Sequence, residues 1–341
     1  MGKKQEKESE NMVKKIAASL LAVLLLLAAS ACSNGFPSAP DEASSGSESS
    51  SSASPPPSSA PASSAQSPAP SSSPPSSAPA SSARPASSPK TGSKTGQVPS
   101  EAPKPEKAKT VRLTFPEGFT LAQIAARLEK NGVCTQKEFV KAAQTYDFSY
   151  YSLVKKIPAS AKRAYKLEGY LYPDTYEFYT DMKPQDAVGR FLRNAESAIG
   201  SKYAYPGMTT DQVITLASII EREADNADEM KKVSSVFHNR LKAKMILQAD
   251  STRDYCNNYL IPVFGDSYKY YYNTYPGRAP ALPAGPICNP GAAALSAAAN
   301  PVKTDFLYFA TGTNHKYYYG KTQAERDAQM KADGVTPLYK D

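Results

Sequence analysis

Residues 209–224 read Thr209-Thr210-Asp211-Gln212-Val213-Ile214-Thr215-Leu216-Ala217-Ser218-Ile219-Ile220-Glu221-Arg222-Glu223-Ala224. Thr209 and Gln212 stand three apart ahead of an apolar run, the spacing of a capping box, so a helix is expected from there to about Ala224. Residues three and four apart share a helix face, which puts Ile214, Ala217, Ser218 and Glu221 on one side. Glu223 points nearly the opposite way and is expected to be solvated. A carboxyl turned towards apolar surroundings loses hydration, which favours its neutral form. Such an acid can donate a proton to a glycosidic oxygen. The bland alternative is a buried glutamate bonded to a backbone or tyrosine group.

The pattern around this helix is mixed. Val111 to Phe115 alternates apolar and polar, a strand signal. Pro116-Glu117-Gly118 turns the chain into a helix capped by Thr120 with Gln123, and Thr135 with Glu138 opens a second. Strand–helix–helix in this compass resembles a LysM-like module, a glycan-binding unit. Leu167 to Phe178 reads as a strand or extended loop, and Pro184 to Ile199 as a helix. Asp228 is expected to cap the helix bearing Met230, Val233, Phe237 and Leu241. A long tyrosine-rich loop follows Leu247. Asn289 with Pro290 looks like the cap and first position of an alanine-rich helix ending at Ala299. Strands over 306–309 and 317–319 and a last helix capped by Thr322 with Glu325 complete an α+β chain with no βαβ repeat.

The first third of the chain has a different character. Lys14 and Lys15 precede an apolar run from Ile16 to Ala29, and Ser30, Ala31 and Cys32 follow. This is an export signal. Its Ala29-Ser30-Ala31-Cys32 string resembles a bacterial lipobox, with Cys32 as the lipidated residue; an uncleaved membrane helix is the competing reading. Both hold the remainder outside the cell, at the membrane. Residues 33–109, rich in Ser, Pro and Ala, cannot build a core and read as a tether. Roughly 230 residues remain to fold, enough for one large domain or two small ones.

The formal charge of +8 suits an anionic setting such as wall polymer or membrane. Its basic residues are scattered and match no nucleic-acid-binding pattern, so no nucleic-acid partner is expected. The 22 tyrosines offer flat apolar faces with hydrogen-bonding tips, suited to sugars or to a packed core. With Cys32 set aside, Cys134, Cys256 and Cys288 remain; an odd number argues against a disulfide framework, though a Cys256–Cys288 bridge stays open. The two histidines, His238 and His315, belong to no HExxH-type motif, and no Gly-x-Ser-x-Gly elbow or phosphate loop occurs. No metal or cofactor is expected.

Several blocks resemble one family, the MltG (YceG-like) endolytic transglycosylases. Leu167-Glu168-Gly169-Tyr170-Leu171-Tyr172-Pro173-Asp174-Thr175-Tyr176 and Ala217-Ser218-Ile219-Ile220-Glu221-Arg222-Glu223 are two of them. Val236 to Leu241, Leu247 to Tyr255, Tyr272 to Tyr275 and Gly285 to Gly291 follow in the family's order. Asp250-Ser251-Thr252, where the family has Asp-Pro-Thr, is a departure, as is the lipobox. Beyond the signal or anchor at 1–32 and the linker at 33–109, the resemblance, which covers about 110–335, implies a LysM-like subdomain at 110–165 and a YceG-type catalytic domain at 166–335. It implies non-hydrolytic cleavage of the MurNAc-β-1,4-GlcNAc bond within peptidoglycan strands, leaving 1,6-anhydro ends, with Glu221 as the one acid/base. Glu168, Gln248, Asp250, Tyr255, Asn273 and Asn289 match family blocks and are expected to shape the sugar groove. Work alongside peptidoglycan synthases is also implied. Two other readings stand beside it: a muramidase with Asp250 or Glu168 as second carboxylate, and a non-catalytic wall-binding lipoprotein.

Overall fold

The computed structural model describes residues 99–277 and 279–338. The signal or anchor segment, Cys32 and nearly all of the tether lie outside the described residues.

Strand β1 (Thr110–Phe115) leads through a turn to α1 (Leu121–Lys130) and α2 (Gln136–Thr145), as the capping signals require. A short α3 (Ser152–Lys155) precedes β2 (Asp174–Tyr179), which pairs antiparallel with β1 from Thr110↔Tyr179 to Phe115↔Asp174. The sheet therefore straddles the expected boundary at 165/166. Helix α4 (Pro184–Ala198) covers it, with Phe191 packed edge-on against Phe115 at 4.9 Å between ring centres.

The second half is built around α5 (Thr210–Glu223). Both bonds of the Thr209/Gln212 capping box form. Asp211 in its first turn is buried and accepts from Arg163 Nη1 at 2.8 Å and Tyr170 Oη at 2.7 Å, placing a negative charge at the positive end of the helix. Helix α6 (Ala227–Lys242) is capped by Asn226, whose side chain accepts from the Glu229 N–H; the expected cap, Asp228, sits in the first turn instead. The tyrosine-rich stretch is not one loop. It holds α7 (Asp250–Tyr255), a π turn over 256–260, α8 (Ile261–Phe264) and α9 (Lys269–Tyr272).

The alanine-rich helix is α10 (Ala292–Ala299), and it packs on α5 and α6. Its small side chains allow the close approach, and its last carbonyls are met from α6: Ser234 Oγ donates to Ala297 O, and His238 Nε2 lies 2.9 Å from Ala298 O. His238 thus has a structural role, reinforced by stacking on Tyr205. Asn289 does not cap α10. Gly291 is the cap residue, and Asn289 is buried elsewhere. A hairpin of β3 (Tyr308–Thr311) and β4 (Tyr317–Gly320) and helix α11 (Gln323–Ala332) close the unit. Cys256 and Cys288 are buried and not joined as a disulfide. No helix among the described residues is long and apolar enough to cross a membrane.

Candidate active site

Helix α5 is apolar on nearly every face because other elements surround it, and its C-terminal end opens onto a cavity of about 680 Å³. Glu221, Arg222 and Glu223 line one end. Gln248 and Asp250 contribute lining from the start of α7, and Tyr308, Phe309 and Tyr317 of the hairpin supply aromatic surface. The cavity mixes flat apolar faces with convergent polar groups, which is the composition a sugar ring needs.

Glu221 is placed by the segment 283–291, which docks on the same face of α5. The Ile287 N–H donates to Ser218 Oγ at 3.0 Å, and the Cys288 thiol donates to Ser218 O. This brings the Gly291 N–H to Glu221 Oε2 at 3.0 Å. Burial pushes the Glu221 carboxyl up to about 7; the Gly291 bond opposes the rise and the nearby Glu117 charge adds to it. A group poised there holds a proton at neutral pH and can also give it up.

Glu223 corrects the expectation of a solvated residue. It lines the same cavity, and its Oε1 accepts from Ser251 Oγ at 2.7 Å and from the Ser251 N–H at 3.3 Å. Helix α7 has no side-chain cap of its own, so Glu223 meets an orphan N–H of its first turn from another helix. Burial holds its carboxyl above the usual range.

Residues 94–332 match the model of the YceG-like family. The chain belongs to that family. It is 31% identical over 235 residues to the endolytic murein transglycosylase of Bacillus subtilis (strain 168), covering 63% of this chain and 63% of that protein. It is 28% identical over 251 residues to the endolytic murein transglycosylase of Streptococcus pneumoniae serotype 2 (strain D39 / NCTC 7466), covering 67% of this chain and 45% of that one. The chain thus spans under two thirds of the length of these relatives. In structure it is similar to a YceG-like protein of Listeria monocytogenes, with a TM-score of 0.53, 32% identity, and coverage of 64% of this chain and 74% of that one.

The other residues matched to family blocks divide in two. Gln248 and Asp250 line the cavity beside Glu223. Gln248 is held at a positive φ of 51° and accepts from Arg240 Nη1, while Asp250 accepts from Tyr275 Oη and pairs with Arg253. Glu168, Tyr255 and Asn289 do not line it. They meet one another in the interior, where Glu168 accepts from Leu121 N–H at 2.8 Å, Tyr255 Oη at 2.9 Å and Asn289 Nδ2 at 3.1 Å. Asn289 also accepts from Leu171 N–H and donates to Phe119 O. Placed behind the cavity wall, these three clamp the α1 start to the segment that carries Gly291. Asn273 is likewise off the cavity wall and accepts from Tyr275 N–H. Glu117 and Asp225 line the cavity without having stood out in the sequence, and His315, which belongs to no metal motif, lines it too. Each lies in a turn or helix end, where no periodicity marks it.

Proposed function

We propose that this YceG-like chain is an endolytic murein transglycosylase that cuts the MurNAc-β-1,4-GlcNAc bond within a glycan strand and leaves a 1,6-anhydro-MurNAc end. The observation that carries this reading is Glu221: a half-hidden carboxyl, held by the Gly291 N–H and pushed up to about 7, at one end of a cavity with aromatic walls. Protonated Glu221 gives its proton to the glycosidic oxygen as the bond from the anomeric carbon breaks. The resulting carboxylate takes the proton of the muramyl 6-hydroxyl as that oxygen bonds to the anomeric carbon. The proton lost is regained, no water enters, and one carboxyl suffices because the nucleophile belongs to the substrate. A well-placed acid/base contributes about 10²–10⁴-fold, and an internal hydroxyl held in line adds the benefit of intramolecularity.

The remaining parts of the reading are of one piece with this. Residues 1–32 anchor the chain by lipid on Cys32 or by a membrane helix, residues 33–109 carry it into the wall, residues 110–165 form a LysM-like part, and residues 166–335 hold the catalytic part. The chain works on the extracytoplasmic face, ending strands made by peptidoglycan synthases. Gln248 and Asp250 contact the sugar, and Glu168, Tyr255, Asn273 and Asn289 support the groove from behind.

Digestion of purified sacculi followed by mass spectrometry tests this. Wild type yields 1,6-anhydro ends, and Glu221→Gln loses at least about 10²-fold of the rate. Reducing MurNAc ends alone would instead identify a two-carboxylate muramidase. No new ends, with binding retained, would identify a wall-binding protein.

A further inference from the structure

The turn between β1 and α1 lies against the Glu221 end of the cavity. The Gly118 N–H donates to Asn289 O at 2.9 Å, and the Asn289 N–H donates to Phe119 O at 2.9 Å, so the turn is stitched to the segment that carries Gly291. A β-carbon on Gly118 would lie 3.7 Å from Glu221 Cγ. Gly291 shows what this stitching achieves. Its φ of −84° and ψ of 179° are open to any residue, so its backbone conformation does not require glycine. What glycine leaves is room: a β-carbon there would fall 1.7 Å from Oε1 and 2.0 Å from Cδ of Glu117, so it could enter only by moving that flexible side chain aside. The Glu117 carboxyl fills the place of the missing side chain, on the same residue whose N–H holds Glu221.

We propose that Glu117 is a positioning residue for Glu221, seated on Gly291 so that two carboxyls from segments far apart in the sequence line the same cavity. This rests on Glu221 being the acid/base. A neighbouring negative charge disfavours ionisation, so Glu117 helps Glu221 keep its proton in the resting enzyme and retake it from the substrate hydroxyl. That is the direction in which the Glu117 charge acts on Glu221. Other groups face Glu221 as well. Arg222 on its own helix acts the opposite way, and the Cys288 thiol behind it is pushed well above its usual range by burial and stays neutral. Glu223, Asp225, Asp250 and His315 line the cavity further round, with Arg240 and Arg326 engaged by the carbonyls of Leu247 and Phe309.

The test is the pH dependence of glycan cleavage by the full chain. In wild type the alkaline limb reports loss of the Glu221 proton. Glu117→Gln moves that limb down by roughly half a pH unit, leaving about threefold less activity above it and little change on the acid side. Gly291→Ala gives the same shift with Glu117 chemically intact, because the new methyl takes the seat of the carboxyl. A merely structural role lowers the whole profile and leaves the limb in place; that result in both variants would overturn the proposal. If Glu117→Gln does not fold, Gly291→Ala decides by the same criterion. End-group analysis of the wild-type products is read separately, so a failure of the transglycosylase reading is distinguishable from a failure of the Glu117 assignment.

Discussion

Glu221 and Glu168 are both glutamates that burial pushes from an ordinary 4.5 up to about 7, yet their surroundings assign them different work. Glu221 has one backbone donor and an open cavity; Glu168 is enclosed by donors from Leu121, Tyr255 and Asn289. For Glu221 the raised value has a stability consequence. The unfolded chain releases this proton near 4.5 and the folded chain near 7, so between those values the folded state binds more protons and stability falls as pH rises. Glu221→Gln removes that fall. The variant should match wild type in unfolding free energy at pH 4 and exceed it at pH 8 by on the order of 1–2 kcal/mol after discounting for partial solvation, with Tm moving in the same direction. Parallel Tm curves for the two proteins would contradict the assignment. For Glu168 the outcome is the reverse: Glu168→Ala leaves buried donors without an acceptor and should cost about 3 kcal/mol in urea unfolding. Cleavage should fall too, since the clamp on Asn289 holds the segment bearing Gly291. An unfolding midpoint equal to wild type would show the network to be dispensable.

At the scale of elements, what was legible in the sequence was whatever is decided locally. The capping boxes at Thr120 and Thr209 need only a residue and its neighbour three further on, and both form as the spacing indicates. The stripe that set Glu221 beside Ile214 and Ser218 was equally local. Glu223 departs from the local pattern because a polar residue opposite an apolar stripe is solvated only if that face meets water, and here α7 covers it. Asn289 followed the same logic: its local pattern fits a cap, but Phe119 and Glu168, far off in sequence, claim its amide. Glu117 had no local signal at all. Gly169 marks where such distant segments meet. Its φ is +85°, and a β-carbon there would lie 2.4 Å from Pro286 Cγ. Gly169→Ala is strained in both conformation and space, so a loss of more than about 2 kcal/mol in chemical denaturation is expected. A change under half of that would mean the two segments separate easily.

For the whole molecule, the decisive feature is that the N-terminal part is not a bead on a string. Strand β1 has its only described partner strand in β2, past the expected boundary at 165/166, and the two bury Phe115 and Phe178 against Phe191 of α4. The start of α1 hands its first N–H to Glu168, and the turn before it is bonded to Asn289. Removing residues before 166 would therefore strip β2 of its ladder, expose the aromatic cluster to water and leave the Glu168 carboxyl short of a donor, each a loss that remote parts cannot make good. The tether meets the folded unit differently: Glu101 reaches Arg190 and Arg193 on α4, a partly exposed ionic contact worth little by itself. A chain beginning at residue 99 should consequently unfold in a single cooperative transition and match the full chain's rate in the glycan-cleavage assay, whereas a chain beginning at residue 166 should show no cooperative transition and no cleavage. If the shorter chain melted sharply and still cut at the rate of the longer one, the first 50 or so folded residues would be an independent binding unit after all, and the contact between the β1–α1 turn and the cavity would have no part in the chemistry.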